Sequence, residues 1–473
     1  MTHVFVFCRK MELLEDRTNQ ITLRKTWIGA LTEACFKPVS PAPLITFRIV
    51  FGALLAFSTI RFIWMGWIDT HYSQPVFHFT YYGFGWIPVF SAPVLYVIHV
   101  LMVISAIGVM LGFYYRLSAV MLFLTFVYTE LIDLTYYLNH YYFVSLVCFL
   151  LIWLPANHYF SIDHWLSNRK AKLSGMPLVP AWTVGILRFQ LVIVYLYAGL
   201  AKINYDWLID AMPLKLWLPV NDTLPLIGPV FTWKITAYAF SWIGMLYDCA
   251  IPFLLLNKRT RVVGYGLVIV FHVFTWILFP IGVFPWVMIG ATLIFFSANW
   301  HQKFLSIAST VTLPIDTLGS VTDRKRYVTL VSVVLFCLFQ IVFPWRYLLY
   351  PGNLFWTEEG FRFSWRVMLM EKSGVATFYI KDIQTGREIE VQNRNYLNEF
   401  QERQMSAQPD FILQFAHFLA SQYEQKGFKQ PQVRAEVYVT LNGKPSRLLI
   451  DPHTDLTKIQ DGWGAKSWIL PDQ

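Results

Sequence analysis

Three short segments of the sequence combine ionisable, amide and aromatic side chains whose types could support chemistry. They span Glu130–Tyr142, Lys202–Trp207 and Trp356–Arg366. The second stands out because Lys202 lies where the apolar run VYLYAGLA gives way to the polar sequence INYDW. A lysine that is partly buried in apolar surroundings can lose its proton near neutral pH, since desolvation disfavours the ammonium. A neutral amine can then act as a general base toward an acidic hydroxyl such as a phenol.

Each of these residues also has a plain structural explanation. A lysine at the end of an apolar helix usually extends its ammonium to water, and tyrosines at a membrane boundary commonly form an aromatic belt. His140 among such tyrosines can be an interfacial donor, and Asp133 can simply cap a helix. A catalytic role is nevertheless favoured over a structural one, because ionisable groups from several segments are expected to lie together at the same level of the membrane.

The composition indicates that membrane helices must position these residues. Of the 473 residues, 56% are hydrophobic and 14% are charged, whereas soluble domains carry about 25% charged residues. The formal net charge of +9 fits the excess of Lys and Arg in cytoplasmic loops better than nucleic-acid binding. We therefore predict a multi-pass membrane protein. Its apolar segments lie at about 43–65, 93–112, 117–133, 141–154, 184–201, 236–256, 262–279, 285–297 and 327–344.

The charges of the connecting loops predict the orientation of these segments. Every second connection is basic, whereas the alternating stretches at 69–88, 133–142 and 279–286 contain no Lys or Arg. By the positive-inside rule the N-terminus is cytoplasmic, nine crossings follow, and the C-terminus lies outside. We expect a cytoplasmic segment at 1–42 and a transmembrane domain at 43–344.

After about Tyr347 the composition changes to that of a soluble α+β domain. VATFYIKDIQTGREIEVQN predicts a hairpin, and Glu399–Gln425 predicts a helix with one apolar face. VRAEVYVTLNGKPSRLLID predicts a second hairpin, with Asn442 and Gly443 in its turn. The expected fold is thus an all-α multi-pass membrane domain of about nine transmembrane helices, followed by an extramembrane α+β domain at 345–473.

Other catalytic motifs are missing from the sequence. It contains no Gly-rich phosphate loop, HExxH, GxSxG or CxxC, so hydrolase, nucleotide-dependent and thiol-redox functions lack support. The five cysteines show no metal-ligand spacing. Two histidines on different segments, His272 and His301, favour structural roles over haem or di-metal ligation. We therefore expect no metal site.

Beyond these patterns, the sequence resembles the vitamin K-dependent γ-glutamyl carboxylase family, whose membrane part is an HTTM-type domain. The resemblance runs from about residue 43 to the end. It implies an enzyme that uses reduced vitamin K, O2 and CO2: quinol oxygenation generates a strong base, the base removes the γ-proton of a peptide glutamate, and the carbanion adds CO2. The segments that carry the resemblance are FRIVFG, IGVMLGFYYRLS, LIDLTYYLNHYY, NHYFSIDHWL, VYLYAGLAKINYDW, FRFSWRVMLMEK, LNGKPSRLLIDPHTDL and SWILP.

The resemblance also implies roles for individual residues. Lys202 takes the position of the base that deprotonates the quinol, and Ala201 stands where vertebrate members have a second lysine. His140 is implicated in the glutamate step. Asn139 and Asp133 are expected quinol contacts. The glutamate-binding stretch gives Trp356, Ser364 and Trp365, while Phe361 replaces a tyrosine of the family.

Two alternatives to the carboxylase stay open. The same fold could oxygenate a quinol without carboxylating a peptide, or it could be a non-enzymatic carrier of a quinone or lipid. The expected partners are a glutamate-containing peptide or protein and membrane lipid, with no nucleic acid. One glycosylation-type triplet, Asn221–Thr223, and none in the C-terminal domain favour a bacterial plasma membrane over the endoplasmic reticulum.

Overall fold

The computed structural model describes residues 29–171, 176–306 and 323–472. Residues 1–28 of the expected cytoplasmic segment, including Cys8, lie outside the described residues, as does basic Lys172 of a later loop. Short helices occupy Tyr205–Leu208, Leu214–Trp217, Ala298–Phe304 and Leu354–Thr357. The helices that are labelled here are α1 (Ala42–Trp64), α2 (Ala92–Leu111), α3 (Tyr115–Leu131), α4 (Asn139–Trp153), α5 (Ile162–Ala171), α6 (Ala181–Ala201), α7 (Lys234–Leu256), α8 (Arg261–Leu278), α9 (Phe284–Thr292), α10 (Asp323–Val342), α11 (Glu399–Met405) and α12 (Pro409–Gln425).

Six helices of the described chain are long and apolar enough to cross a membrane. They are α1, α2, α6, α7, α8 and the segment Arg324–Leu349, which contains most of α10. The apolar segments at 117–133, 141–154 and 285–297 also form helices, but α3, α4 and α9 are shorter. The protein is therefore multi-pass, while the predicted count of nine crossings is not confirmed. A helix that crosses the bilayer perpendicularly needs about 20 residues. Because α3, α4 and α9 are shorter than this, they are not counted among the six.

Helices α6 and α7 approach each other closely at Gly199. A β-carbon at this position would lie 2.6 Å from the Cys249 Sγ and 2.7 Å from the Cys249 backbone nitrogen. Only glycine therefore permits this contact between the two helices. Since Lys202 follows Gly199 by three residues, it lies on the same side of the helix end and reaches Asp248 of α7.

The C-terminal region contains a four-stranded antiparallel sheet of β1 (Lys372–Lys381), β2 (Glu388–Glu390), β3 (Gln432–Leu441) and β4 (Arg447–Leu448). The strand order is β2-β1-β3-β4. In the central pair, Lys372 opposes Leu441 and Lys381 opposes Gln432. Both predicted hairpins are confirmed, because β1 pairs with β2 and β3 pairs with β4, and each pair is antiparallel and consecutive in the chain.

The predicted helix at Glu399–Gln425 is two helices. Pro409 begins α12, and Gln408 before it is extended, with φ −113° and ψ 120°, as expected for a residue that precedes proline. The predicted apolar face packs on the sheet, where the rings of Phe415 and Phe378 lie 5.1 Å apart.

The C-terminal region packs on loops that connect the membrane helices. Phe79, which precedes α2, lies 4.7 Å from Phe411 of α12 between ring centroids. Trp207, which follows α6, belongs to the same buried hydrophobic cluster. The side-chain amide of Gln401 donates a 2.7 Å hydrogen bond to Asp133. This docking places the Trp356–Arg366 segment against the ends of α4 and α6.

Candidate functional site

Lys202 ends α6 with its side chain inside the protein. The residue is 7% exposed, and its ammonium donates to the Asp248 carboxylate at 2.7 Å and to the Ala198 carbonyl at 3.2 Å. The ammonium also lies 5.4 Å from the centre of the Trp207 ring. The side chain therefore makes a buried ion pair instead of extending into solvent.

The Lys202–Asp248 pair is suited to proton transfer. Two full charges in an apolar environment carry a large desolvation cost, which the attraction between them offsets only in part. Transfer of one proton from the ammonium to the carboxylate gives a neutral acid and a neutral amine, so that both charges disappear together. The neutral amine has a free electron pair and can accept a proton from a phenol.

Sequence reasoning did not single out Asp248. The residue lies 46 positions after Lys202, in the middle of an apolar helix, where nothing local indicates which neighbour its side chain meets. The available signal was its type, because an acidic residue inside a membrane-length apolar run is a functional candidate.

Residues at the start of α4 hold the FRFSWR segment, Phe361–Arg366, by hydrogen bonds. The Asn139 amide donates to the carbonyl of Arg366 at 2.8 Å. The Tyr137 hydroxyl donates to Asn139 at 3.1 Å and accepts from the Phe363 backbone N–H at 2.7 Å. The structure thus brings together Asn139 and the segment that contains Ser364.

The three expected glutamate-binding residues differ in their surroundings. Trp365 is buried and stacks on Tyr142 with 4.8 Å between ring centroids, and no described residue forms a hydrogen bond with its buried indole N–H. The hydroxyl of Ser364 donates to the Phe361 carbonyl. Trp356 is 2% exposed and donates to a backbone carbonyl at 2.7 Å. Trp356 therefore packs as a core residue of the C-terminal region.

His140 lies in an aromatic environment. Its ring stacks on Phe284 at 5.0 Å and contacts Tyr141 at 4.5 Å. Among the described residues its ring nitrogens make no hydrogen bond. Phe284 also contacts His272 at 5.9 Å, and the Nε2 of that histidine is 3.0 Å from the Tyr195 hydroxyl. Ring packing therefore holds His140 in place.

The Asp133 carboxylate is already fully bonded to protein groups. One oxygen accepts from the backbone N–H and the hydroxyl of Thr135 at 3.0 and 2.6 Å. The other accepts from Gln401 at 2.7 Å and lies 3.0 Å from the His78 Nδ1. Asp133 thus caps a short helical turn and anchors the C-terminal region, as the structural alternative for this residue expected.

Two cavities flank the FRFSWR segment. The larger, of about 420 Å³, lies between the C-terminal region and the ends of α3 and α4, and Arg362 and Phe363 line it. The smaller, of about 220 Å³, lies beside the end of α6, and Ser364 and Arg366 line it. Neither of these cavities is lined by Lys202 or His140.

Most charged groups around the larger cavity are paired. Arg362 forms a 2.5 Å ion pair with Asp410, and Glu358 forms one of 2.8 Å with Lys372. Burial by itself raises the pKa of the Asp410 carboxyl, but the adjacent guanidinium outweighs this and holds that pKa below its usual range. Burial raises the pKa of Glu359, although Lys466 donates its backbone N–H to that carboxyl at 2.8 Å.

The Arg362–Asp410 pair gives a prediction for stability. Arg362→Ala leaves Asp410 buried without a counter-ion, so the C-terminal region should lose about 3 kcal/mol. The midpoint of thermal unfolding in detergent should therefore fall at neutral pH. Since the pKa of Asp410 is lowered on folding, this stabilisation is present above the ordinary pKa of about 3.9. It is lost as the pH falls through the lowered value, so wild type and variant should converge in acid.

Arg394→Ala is the matched control for this stability prediction. The Arg394 side chain is 78% exposed and pairs with Glu402, so its loss should cost less than about 1 kcal/mol. Equal changes in the unfolding midpoint for the two variants would contradict a special role for Arg362.

The architecture defines the class of the protein: a multi-pass helical membrane protein with a C-terminal α+β region docked over one end of the helices. Two family models match the chain: "HTTM domain" over residues 36–300, and "Vitamin K-dependent gamma-carboxylase, lumenal domain" over residues 325–473. The chain therefore belongs to the vitamin K-dependent gamma-carboxylase family, as the resemblance predicted. No solved structure matches it.

Proposed function

We propose that the protein carboxylates peptide glutamate at the γ-carbon, driven by the oxygenation of vitamin K hydroquinone to its epoxide. The family assignment supports this chemistry. The carrying observation is the position of Arg366. Asn139 holds the backbone carbonyl of Arg366, and Arg366 lines a cavity together with Ala201 and Ile203, which flank Lys202. The segments expected to handle quinol and glutamate therefore meet.

The family resemblance implies the following roles for the residues, and the ion pair of Lys202 with Asp248 supports the first of them. Lys202, neutral after giving its proton to Asp248, accepts the proton of the quinol hydroxyl. The quinolate reacts with O2, and the oxygenated product is the strong base that removes the γ-proton of glutamate. The carbanion forms a carbon–carbon bond to CO2, and the quinone epoxide and water complete the balance. Exclusion of water by the docked C-terminal region would protect this base from bulk protons.

The two substrates would arrive from different sides. A quinol with an apolar tail partitions into lipid and reaches the helix ends laterally, whereas a peptide comes from the aqueous phase. On the orientation expected from the loop charges, the C-terminal region lies outside the cytoplasm. Residues Asn139 and Ser364 then belong to the outer level of the membrane, and a bacterial plasma membrane is the proposed location.

The proposal is tested with purified protein in lipid nanodiscs. The protein is incubated with reduced vitamin K, a glutamate-containing peptide and labelled bicarbonate, and both epoxide and peptide-bound label are quantified. The carboxylase predicts both products. Epoxide without peptide label would identify a quinol epoxidase, and quinol binding without either product would identify a carrier.

His140 gives a second test of the proposed roles. His140→Ala should reduce carboxylation by about 10²-fold or more, in the range lost with an acid–base group, and should spare epoxidation. The ratio of epoxide to carboxylated peptide should therefore rise. His453→Ala, at an exposed position, is the control and should leave the ratio unchanged. An equal loss of both products in His140→Ala would contradict a role confined to the glutamate step.

A further inference from the structure

Among the described residues that line the smaller cavity, Arg366 is the charged one. The other residues around it are apolar, aromatic or neutral polar, and include Leu200, Tyr347 and Ser364. The cavity holds about 220 Å³, which is large enough for a glutamate side chain but not for a long isoprenoid tail.

The Arg366 guanidinium has no counter-ion in the part of the chain that the structure describes. Among the described residues, no carboxylate forms an ion pair with it, and its Nε is buried without a hydrogen-bond partner. The group is nevertheless held in place, because it lies 4.2 Å from the centre of the Tyr347 ring and Asn139 fixes its backbone carbonyl at 2.8 Å. A fixed and uncompensated guanidinium in an otherwise uncharged cavity is suited to an anion.

We propose that this cavity binds the γ-carboxylate of the glutamate substrate and that Arg366 is its anchor. The proposal rests on the proposed function and adds a substrate-binding residue to it. The guanidinium offers paired N–H donors that match the two oxygens of a carboxylate. The lining residues Ala201 and Ile203 flank Lys202, so the bound glutamate lies beside the segment that activates the quinol.

The anchor also fits the charge that develops during the reaction. When the γ-carbon loses its proton to the oxygenated quinol, the electron pair of the broken C–H bond delocalises onto the adjacent carboxylate oxygens. These oxygens then carry a second negative charge until the carbon attacks CO2. A guanidinium already bonded to them stabilises this state more than the ground state. Arg366 is therefore expected to affect both the KM for peptide and the turnover number.

The larger cavity is a poorer site for a carboxylate. Its Arg362 is neutralised by Asp410, and Arg346 donates to the carbonyls of Phe343 and Arg362. Its lining also contains the carboxyl groups of Glu130, Glu358, Glu359, Asp410 and Asp461. Since the cationic residues of this lining are Arg346, Arg362 and Lys466 against the five carboxyl groups, its excess of acids disfavours an anionic side chain.

The test compares wild type with Arg366→Gln and Arg366→Lys in nanodiscs of neutral lipid. For Arg366→Gln we expect the KM for a glutamate peptide to rise at least 10-fold and the turnover number to fall, while the KM for quinol stays within twofold. Arg366→Lys should recover part of the loss, because lysine keeps the positive charge but lacks the paired N–H donors of the guanidinium. Arg387→Gln, at an exposed position, is the control. An unchanged peptide KM in Arg366→Gln would overturn the proposal.

Direct binding separates this proposal from the proposed function. Wild type should bind a glutamate peptide at least 10-fold more tightly than the same peptide with glutamine, and Arg366→Gln should lose this preference. A preference for glutamate that is lost in Arg366→Gln supports Arg366 as the anchor even if wild type forms no carboxylated product. If this loss is not seen, the role of Arg366 is overturned even if carboxylation is observed. An unchanged preference in Arg366→Gln, together with a lost response to anionic lipid, would assign Arg366 to a lipid phosphate and overturn the proposal.

Discussion

Lys202→Ala is expected to abolish quinol epoxidation, with a loss of about 10²–10⁴-fold, the contribution of a positioned general base. The physical reason is that the Lys202 amine, which forms a buried ion pair with Asp248, is the proposed acceptor of the quinol proton. Carboxylation should fall with epoxidation, because the base that attacks glutamate is made from the quinolate. The measurement is the initial rate of epoxide formation in nanodiscs at saturating quinol.

Two further variants separate catalysis by Lys202 from packing. Lys202→Arg keeps a positive charge next to Asp248, but a guanidinium stays protonated and cannot accept the quinol proton, so activity should stay low. Small exogenous amines should restore part of the activity of Lys202→Ala. Lys444→Ala, at an exposed position, should behave like wild type. Full epoxidation in Lys202→Ala would disprove the assigned role, and full epoxidation in Lys202→Arg would show that Lys202 does not accept the quinol proton.

Gly199→Ala should both destabilise the protein and reduce epoxidation. The new methyl group would lie 2.7 Å from the Cys249 backbone nitrogen, so α6 and α7 must move apart, at a cost of about 1–3 kcal/mol. The same movement would separate Lys202 from Asp248. The measurements are the midpoint of thermal unfolding and the rate of epoxide formation for the same preparation.

Gly185→Ala is the matched control for Gly199→Ala, because both glycines lie in α6. A β-carbon at Gly185 would meet nothing within 4 Å. The change should therefore be neutral or stabilise the helix by up to about 1 kcal/mol, since alanine has the higher helix propensity. Equal behaviour of the two variants would show that the close approach at Gly199 does not position the pair.

Local patterns allowed much of the fold to be predicted. Each of the predicted apolar segments forms a helix, and the turn residues Asn442 and Gly443 lie between β3 and β4 as expected. The helix at Glu399–Gln425 was predicted too long because its apolar periodicity continues across Pro409, whose effect on the preceding residue ends the first helix.

The candidate site was only partly predictable, because its contacts join residues far apart in the chain. The type and position of Lys202 marked it, but its partner Asp248 comes from another helix. Asp133 carried the right chemistry for a quinol contact, yet its oxygens are bonded to Thr135, Gln401 and His78. In the sequence, Arg366 is simply the residue that follows Trp365. Only the structure shows that it lines a cavity and that its buried Nε has no hydrogen-bond partner among the described residues.

The most direct test of the central claim is mass spectrometry of the peptide after reaction with reduced vitamin K, O2 and labelled bicarbonate. A carboxylase predicts a peptide that gains one labelled carboxyl group at the γ-carbon of glutamate in wild type and not in Lys202→Ala. It also predicts epoxide in at least equal amount to the carboxylated peptide. An unmodified glutamate peptide from a folded, quinol-binding wild-type protein would contradict the claim.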